Sequence, residues 1–242
     1  MRICAAQTLP VRGDMQQNIN DHLSFIKKAL EHRARLIVFP ELSLTGYEPS
    51  LAGELATSPE DKRLDVFQNA SDEGDITVCV GVPTGANDGV RISMVIFSPG
   101  SDRRIYSKQY LHSDELPYFT EGNEQLVFPL EDNHITPAIC YESLLPEHSE
   151  KANELGSGIY LTSVVKNKNG VEKVFTHYPG IAKKYSMDVI MSNSVGPCEI
   201  FDSYGTSSAW NKEGKLCGEM DNSNPGILIY DTDTSETEIE YL

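Results

Sequence analysis

Short apolar runs of strand length, separated by segments of helical periodicity, constrain the fold of this chain most strongly. Residues 36–39 (LIVF), 76–82 (ITVCVGV) and 135–139 (ITPAI) are rich in apolar side chains from end to end. Such runs are typical of strands buried on both faces of a sheet. Residues 2–6 read as a first strand, and apolar residues then recur at near-helical spacing over residues 15–33. This alternation predicts an α/β protein.

Later segments predict antiparallel pairs as well as helices. Residues 90–97 and 103–110 flank the turn-rich sequence SPGSD and are typical of a hairpin. A second hairpin is predicted for the tail, residues 207–230. Ser58-Pro59 combines a capping residue with a proline at the first helical position, which predicts a helix start. Helix-linked strands together with hairpins favour a mixed sheet, or two sheets, with outer helices.

The charge balance narrows the classes of partner. Asp and Glu number 36 against 20 Lys and Arg, a net charge of −16. A surface this acidic repels phosphate groups, so we expect neither nucleic acid nor an anionic membrane as a partner. A small substrate stays open, because one pocket can carry either sign of charge. The 242 residues suffice for one large core, and we expect residues 1–242 to form a single domain.

Cysteine usage and hydropathy predict a cytoplasmic location. The five cysteines are odd in number and widely spaced, and no C-x-x-C motif occurs, which argues against a disulfide framework and a zinc site. The six histidines form no H-x-x-x-H pair, so we expect no metal. No apolar run approaches the ~20 residues of a membrane span. The N-terminal sequence MRICAAQTLP reads as a strand rather than a signal peptide.

Two charged residues stand at the ends of strand-like runs, where α/β folds place their chemistry. Glu41 follows residues 36–39 and Pro40 in FPELSLTGY. A carboxylate among apolar neighbours should have a raised pKa, which suits a general base; the alternative is a solvated loop residue. Lys108 lies within the apparent strand of RRIYSKQYL. Its ammonium could stabilise an oxyanion, although most strand lysines are exposed edge residues.

Cys140 follows the strand-like run 135–139 and precedes a helix predicted over residues 146–155. A thiol near a helix start and a lysine should have a lowered pKa, which would favour the nucleophilic thiolate. The alternative is an inert core cysteine. A Cys–His protease dyad also stays open, since such partners can be far apart in sequence, but no local protease signature surrounds Cys140.

Taken together, these segments resemble the nitrilase superfamily of carbon–nitrogen hydrolases. The resemblance begins at AAQTLPVRGDMQQNI, continues through FPELSLTGY, YSKQYL and ICYESLLPE, and ends at SNSVG and the Gly205-x-Ser207 segment. It covers nearly the whole chain, and the order Glu, Lys, Cys matches that of the family. It implies an αββα sandwich of two mixed sheets with outer helices, in subunits that usually pair as homodimers or higher homo-oligomers.

The resemblance also implies roles for individual residues. Glu41 matches the general base, Lys108 the lysine that stabilises the tetrahedral intermediate, and Cys140 the nucleophile. The backbone N–H of Tyr141 would complete the oxyanion hole, and Glu115 matches an additional structural or catalytic glutamate. No cofactor is needed for this chemistry. The expected reaction is hydrolysis of a non-peptide C–N bond in a small amide or ureido compound, through a cysteine thioester.

Pocket walls and substrate are less constrained. Tyr47, Tyr118 and Phe119 are candidate substrate contacts, because the first follows Glu41 in the chain and the others follow Glu115; ordinary aromatic packing is the alternative. The segment LTSVVKN lacks the aromatic residue often found there, and Ala-Lys-Lys-Tyr near Ala182 replaces a common Glu-Asn. Hydrolysis of a nitrile, N-acyl transfer, and a non-catalytic binding protein on the same fold remain open alternatives.

Overall fold

The computed structural model describes residues 1–58 and 60–242, and its strands follow the apolar runs of the sequence. In chain order the strands are β1 Arg2–Gln7, β2 Leu36–Val38, β3 Thr77–Ala86, β4 Gly89–Phe97, β5 Arg104–Ser107, β6 Phe128–Leu130, β7 Asn133–Ile139, β8 Ile159–Val164, β9 Asp188–Asn193, β10 Val195–Pro197, β11 Asp202–Tyr204, β12 Ser208–Trp210, β13 Leu216–Glu219, β14 Gly226–Asp231 and β15 Thr237–Tyr241. The α-helices are α1 Met15–Glu31, α2 Ala52–Leu55, α3 Asp65–Gly74, α4 Pro146–Glu154 and α5 Lys168–Tyr185.

The strands form two mixed sheets. One has the order β15-β14-β1-β2-β3-β4-β5 and the other the order β13-β12-β9-β8-β7-β6, while β10 and β11 pair separately. In the first sheet β1, β2 and β3 are parallel, and in the second β7, β8 and β9 are parallel. Because parallel strands end at the same edge of a sheet, the residues that follow β2, β7 and β8 gather at sheet edges.

Buried side chains alternate between the two faces of each central strand, and this alternation sets the layers. In β1, Ile3 and Ala5 pack between the sheets, whereas Cys4 and Ala6 face α1 and α3. The second sheet likewise turns its other face toward α5. The result is the αββα sandwich that the family resemblance implied.

Hydrogen bonds between the sheets fix their relative position near the strand ends. The Ser163 hydroxyl of β8 donates to the carbonyl of Phe39, just beyond β2, at 2.8 Å. The Ser192 hydroxyl of β9 donates to the carbonyl of Ala6 in β1 at 2.6 Å. Both bonds are buried, where an unpaired hydroxyl would be costly. They hold the segment after β2 close to the segments after β7 and β8.

Some sequence-based expectations are wrong in detail. The tail is not one hairpin: β12 pairs with β13, but β14 crosses to the other sheet and pairs with β1. Lys108 lies just beyond β5 rather than within a strand. The helix expected at Ser58-Pro59 begins as a 3-10 turn at Lys62 and as α3 at Asp65; Pro59 lies outside the described residues. Within those residues, no helix is both long and apolar enough to cross a membrane.

Candidate active site

Glu41 is held in a buried turn after β2. Its side chain is 1% exposed. The turn rests on β3 at Gly81, where an added Cβ would collide with the backbone of Pro40 and Leu42. The N–H of Leu44 donates to the Gly81 carbonyl at 3.0 Å. A glycine is therefore required here for the close approach of two backbones, which fixes the direction of the Glu41 side chain.

Lys108 is a fully buried cation at the end of β5. Its backbone N–H donates to the carbonyl of Ile92 at 2.9 Å, and its carbonyl accepts from the N–H of Gly122 at 2.7 Å. The side chain is 0% exposed. A buried ammonium has to be paired with counter-charges, so its partners define the site.

Cys140 occupies a strained position directly after β7. Its φ of +50° lies in the left-handed region, which side chains other than glycine and asparagine rarely adopt. A 3-10 turn over Cys140–Leu144 follows and leads into α4. Sharp turns of this kind present the side chain at the end of a strand, and such strain is concentrated at functional sites.

Two carboxylates share the buried lysine. The Lys108 ammonium donates to Glu41 Oε1 at 2.8 Å and to Glu115 Oε1 at 2.6 Å. Glu115 also accepts from the Tyr47 hydroxyl at 3.0 Å and from the backbone N–H of His112 at 2.7 Å. The second carboxylate oxygen of Glu41, Oε2, is buried and has no hydrogen-bond donor. One oxygen of Glu41 is thus held in place while the other remains available.

The pKa values follow from this burial. Desolvation raises the pKa of Glu41 above its ordinary value, as expected from the sequence, although Lys108 opposes the shift. The paired carboxylates hold the pKa of Lys108 above its ordinary value despite the opposing effect of burial. Burial, and then Glu41, raise the pKa of Cys140 to about 11, against the pull of Lys166 and Lys108. The expected lowering of the thiol pKa is wrong, because burial outweighs both lysines.

A cavity of about 420 Å³ opens beside the thiol. Tyr47, Glu115, Cys140 and Tyr141 line it, and the Tyr141 ring packs edge-on against His112 with centroids 5.2 Å apart. His112, Asp114 and Leu144 also line it, as do residues from the segment after β8, from the start of α5 and from the β10–β11 loop. A cavity of this size suits a small molecule.

Two of the expected substrate contacts do not line this cavity. Phe119 is 4% exposed and belongs to the core between the sheets, and Tyr118 is 44% exposed. Both follow a turn in which their N–H groups donate to the carbonyl of Glu115. That turn directs successive side chains to different sides, so proximity to Glu115 in the chain did not translate into proximity to the thiol.

Sequence reasoning missed Glu142 and Lys166. The Glu142 carboxylate is 0% exposed and accepts from the N–H groups of Ile139 and Gln109, both at 2.7 Å. It therefore ties the Lys108 segment to the Cys140 turn. Lys166, 7% exposed, lines the cavity just beyond β8. The available signals were an acid two residues after Cys140, and a lysine at the exit of an otherwise apolar strand.

Among the described residues, no cluster of three or more His, Cys, Asp or Glu side chains is arranged to hold a metal ion. The sequence model for the family described as carbon–nitrogen hydrolase matches residues 2–239. The chain belongs to the carbon–nitrogen hydrolase family. This confirms the resemblance drawn from the motifs, and it places the buried Glu41 and Lys108 and the partly buried Cys140 in a family of enzymes.

Curated relatives of this carbon–nitrogen hydrolase are longer proteins. The chain is 30% identical over 230 residues to a glutamine-dependent NAD(+) synthetase of Acinetobacter baylyi, covering 89% of the chain and 41% of that protein. It is 26% identical over 239 residues to the synthetase of the same name from Aquifex aeolicus, covering 93% and 41%. The chain thus spans about two-fifths of the length of these relatives.

Solved structures share the fold. An amidase from Nesterenkonia sp. AN1, called NitN, superposes with a TM-score of 0.86 at 22% identity, covering 96% of this chain and 92% of that one. A mutant of the same amidase in complex with butyramide superposes with a TM-score of 0.85 at 22% identity, covering 95% and 89%. At this identity the likeness shows the fold alone, the αββα sandwich.

Proposed function

We propose that this carbon–nitrogen hydrolase is an amidase that cleaves a small amide or ureido compound, with residues 1–242 acting as one catalytic domain. One observation carries the proposal: a buried lysine joins two carboxylates beside a cysteine, and one oxygen of Glu41 has no donor. An ion pair with a purely structural role would not require a neighbouring thiol or an open cavity, and both are present here. The butyramide complex of the structural neighbour supports a small amide as the substrate class.

The first half of the reaction forms a thioester. Glu41 Oε2 takes the thiol proton as Cys140 Sγ attacks the carbonyl carbon, because at a pKa of about 11 the thiol is protonated at neutral pH. Lys108 and the N–H of Tyr141 stabilise the oxygen that becomes negative. The C–N bond then breaks, and Glu41 returns the proton to the departing nitrogen. Ammonia leaves from a primary amide, and the acyl group stays on sulfur.

The second half hydrolyses that thioester. Glu41, again a carboxylate, takes a proton from water as the oxygen attacks the acyl carbon, and the thiolate leaves. Sulfur regains its proton, and one carboxylic acid is released for each water consumed. Glu115 touches Lys108 rather than the substrate in this scheme, so it is a positioning residue that keeps the ammonium aligned.

The test is ammonia release from a panel of small amides, ureido acids and nitriles. Cys140→Ala should abolish turnover, whereas Cys217→Ala, a matched change at a partly buried cysteine of β13 that does not line the cavity, should not. Ammonia release by Cys140→Ala would refute the mechanism. Product analysis separates the alternatives: ammonia and acid from a nitrile identify a nitrilase, and an acylated amine identifies acyl transfer.

A non-catalytic binding protein on the same fold is tested by iodoacetamide. If the protein is an enzyme, Cys140 should be alkylated faster than the other cysteines, because the amide group of iodoacetamide can bind in the cavity beside it. Equal labelling of all accessible thiols, together with no turnover of any probe, would favour the binding protein.

A further inference from the structure

The cavity contains a buried cation that the proposed reaction does not use. Lys166 is 7% exposed and directly follows Val165, whose carbonyl accepts the Cys140 thiol at 3.6 Å. The side chain of Lys166 makes no hydrogen bond or ion pair with any of the described residues. Lysines this deeply buried are almost always paired. Lys166 lines the cavity, so a molecule that enters the cavity can supply the counter-charge that the protein does not.

The backbone of Lys166 is clamped in place. Its N–H donates to Asn193 Oδ1 at 2.9 Å, and its carbonyl accepts from Asn193 Nδ2 at 3.2 Å and from the N–H of Tyr204 at 2.8 Å. The aliphatic stem packs against Gly170 in the first turn of α5, where an added Cβ would lie 3.1 Å from Lys166 Cβ. A surface lysine has no such support. This one is pre-organised, which reduces the entropy lost on binding.

Acidic groups of the cavity already have other partners. Glu115 is bound by Lys108, by Tyr47 and by a backbone N–H. Asp114 accepts from the ring of His112 at 2.5 Å. Neither carboxylate neutralises Lys166. The cavity of a protein with a net charge of −16 thus presents one unneutralised, buried positive charge beside the nucleophile.

Lys166 also lies close to the nucleophile. The segment that carries it leads from β8 to α5, and both Lys166 and Cys140 line the cavity. Among the nearby cations, Lys166 opposes the raised pKa of Cys140 more than Lys108 does, so its ammonium lies within electrostatic reach of the thiol. A short substrate could therefore place its carbonyl carbon at the Cys140 sulfur and an anionic group at the Lys166 ammonium.

We propose that Lys166 binds a carboxylate in the acyl part of the substrate, so that the preferred substrates are primary amides of short dicarboxylic acids rather than neutral amides. This inference rests on the proposed amidase function and adds the substrate class. A carboxylate is the anion that fits, since it supplies an acceptor to the ammonium and is small enough for a cavity of about 420 Å³.

The test compares succinamate with butyramide, which carries a methyl group in place of the carboxylate. The wild-type protein should prefer succinamate in kcat/KM. Lys166→Met should lower kcat/KM for succinamate by about 10- to 100-fold, mainly through KM, because a charge-assisted bond in a buried site is lost. The loss for butyramide should be at least about tenfold smaller. Lys166→Arg should restore part of the preference.

The matched control is Lys168→Met, which removes the same charge two residues away from an exposed side chain outside the cavity. It should leave the preference for succinamate intact. Equal losses on both substrates in Lys166→Met would overturn the proposal, since they would show that Lys166 acts on the thiol or on the fold. A wild-type protein that does not prefer succinamate would overturn it as well.

Binding separates this inference from the proposed function. In a Cys140→Ala background, where no turnover is needed, calorimetry should show tighter binding of succinamate than of butyramide, and Lys166→Met should remove the difference. That result supports the carboxylate site even if the wild-type protein releases no ammonia. Equal binding of the two ligands refutes it, provided that thermal unfolding shows each variant to be folded.

Discussion

Replacing Glu142 by Gln tests whether the Lys108 segment and the Cys140 turn depend on one buried acid. The carboxylate accepts from the N–H groups of Ile139 and Gln109 at 2.7 Å and from the hydroxyl of Tyr106 at 2.6 Å. A glutamine has a single acceptor oxygen, so its NH₂ group must face at least one of these donors. At pH 5 Glu142 is a protonated carboxyl group, whose hydroxyl oxygen still accepts a hydrogen bond, whereas an NH₂ group cannot. Unsatisfied buried donors cost about 1–3 kcal/mol, so we expect Glu142→Gln to be less stable by that amount at pH 5.

The pH dependence of this difference is the sharper prediction. Burial raises the pKa of Glu142 from its ordinary 4.5 to about 7, despite the hydrogen bonds from Tyr106, Ile139 and Gln109. Between these values the native protein keeps a proton that the unfolded chain has released. The stabilisation is therefore complete below about pH 4.5 and is lost as the pH rises through 7, by up to about 3 kcal/mol.

The assay is urea unfolding between pH 5 and 8, followed by the fluorescence of Trp210, the single and fully buried tryptophan. The free energy of unfolding of the wild type should fall relative to that of Glu142→Gln across this range. His22 and His148, whose pKa values burial lowers to about 3 and about 4, produce the opposite slope below pH 6.5 in both proteins. Glu150→Gln, on the exposed face of α4, is the control. Parallel curves for the wild type and Glu142→Gln would refute the reasoning.

Two further predictions concern the buried charges around the thiol. Lys108→Met should destabilise the protein by about 3–5 kcal/mol at pH 8. The loss should be smaller at pH 5, because one of the two carboxylates left without the lysine can take up a proton. Urea unfolding at both pH values measures this, and the control Lys168→Met should stay within about 0.5 kcal/mol of the wild type. Glu41→Gln should abolish turnover and slow the alkylation of Cys140 at pH 8, because no carboxylate then takes the thiol proton. Faster alkylation in Glu41→Gln, measured by mass spectrometry, would contradict the general-base role and would show that Glu41 acts on the thiol only through its charge.

The local sequence pattern predicted much of the fold, because a strand that is buried on both faces consists of consecutive apolar residues that can be recognised in the sequence. The runs that became β2, β3 and β7 were each found this way, and the αββα layering followed from the family resemblance. The tail was misassigned because β14 pairs with β1, more than two hundred residues away, and no turn signal reports such a pairing. Long-range pairing is decided by the packing of whole layers.

The site was predicted unevenly for a related reason. Glu41 and Lys108 stand out in sequence as charges beside apolar runs, and the structure joins them directly. Lys166 is likewise a charged residue just after an apolar strand, β8. Its interest comes from the absence of a neighbouring counter-charge, which a sequence does not show. The prediction that Tyr118 lines the cavity was wrong, because the turn after Glu115 directs the Tyr118 side chain toward solvent.

The raised pKa of Cys140 is compatible with catalysis because the site moves a proton without creating net charge. Burial disfavours a lone thiolate and a lone carboxylate alike, so it raises the pKa of Cys140 and that of Glu41 together. Transfer from Sγ to Glu41 Oε2 exchanges one buried anion for another, and its free energy depends on the difference between the two pKa values. Lys108 lowers the pKa of both groups, so its ammonium stabilises the negative charge on either side of the transfer. The site therefore needs no free thiolate at rest, and the proton moves only when a carbonyl carbon is in place to accept the electron pair of the sulfur.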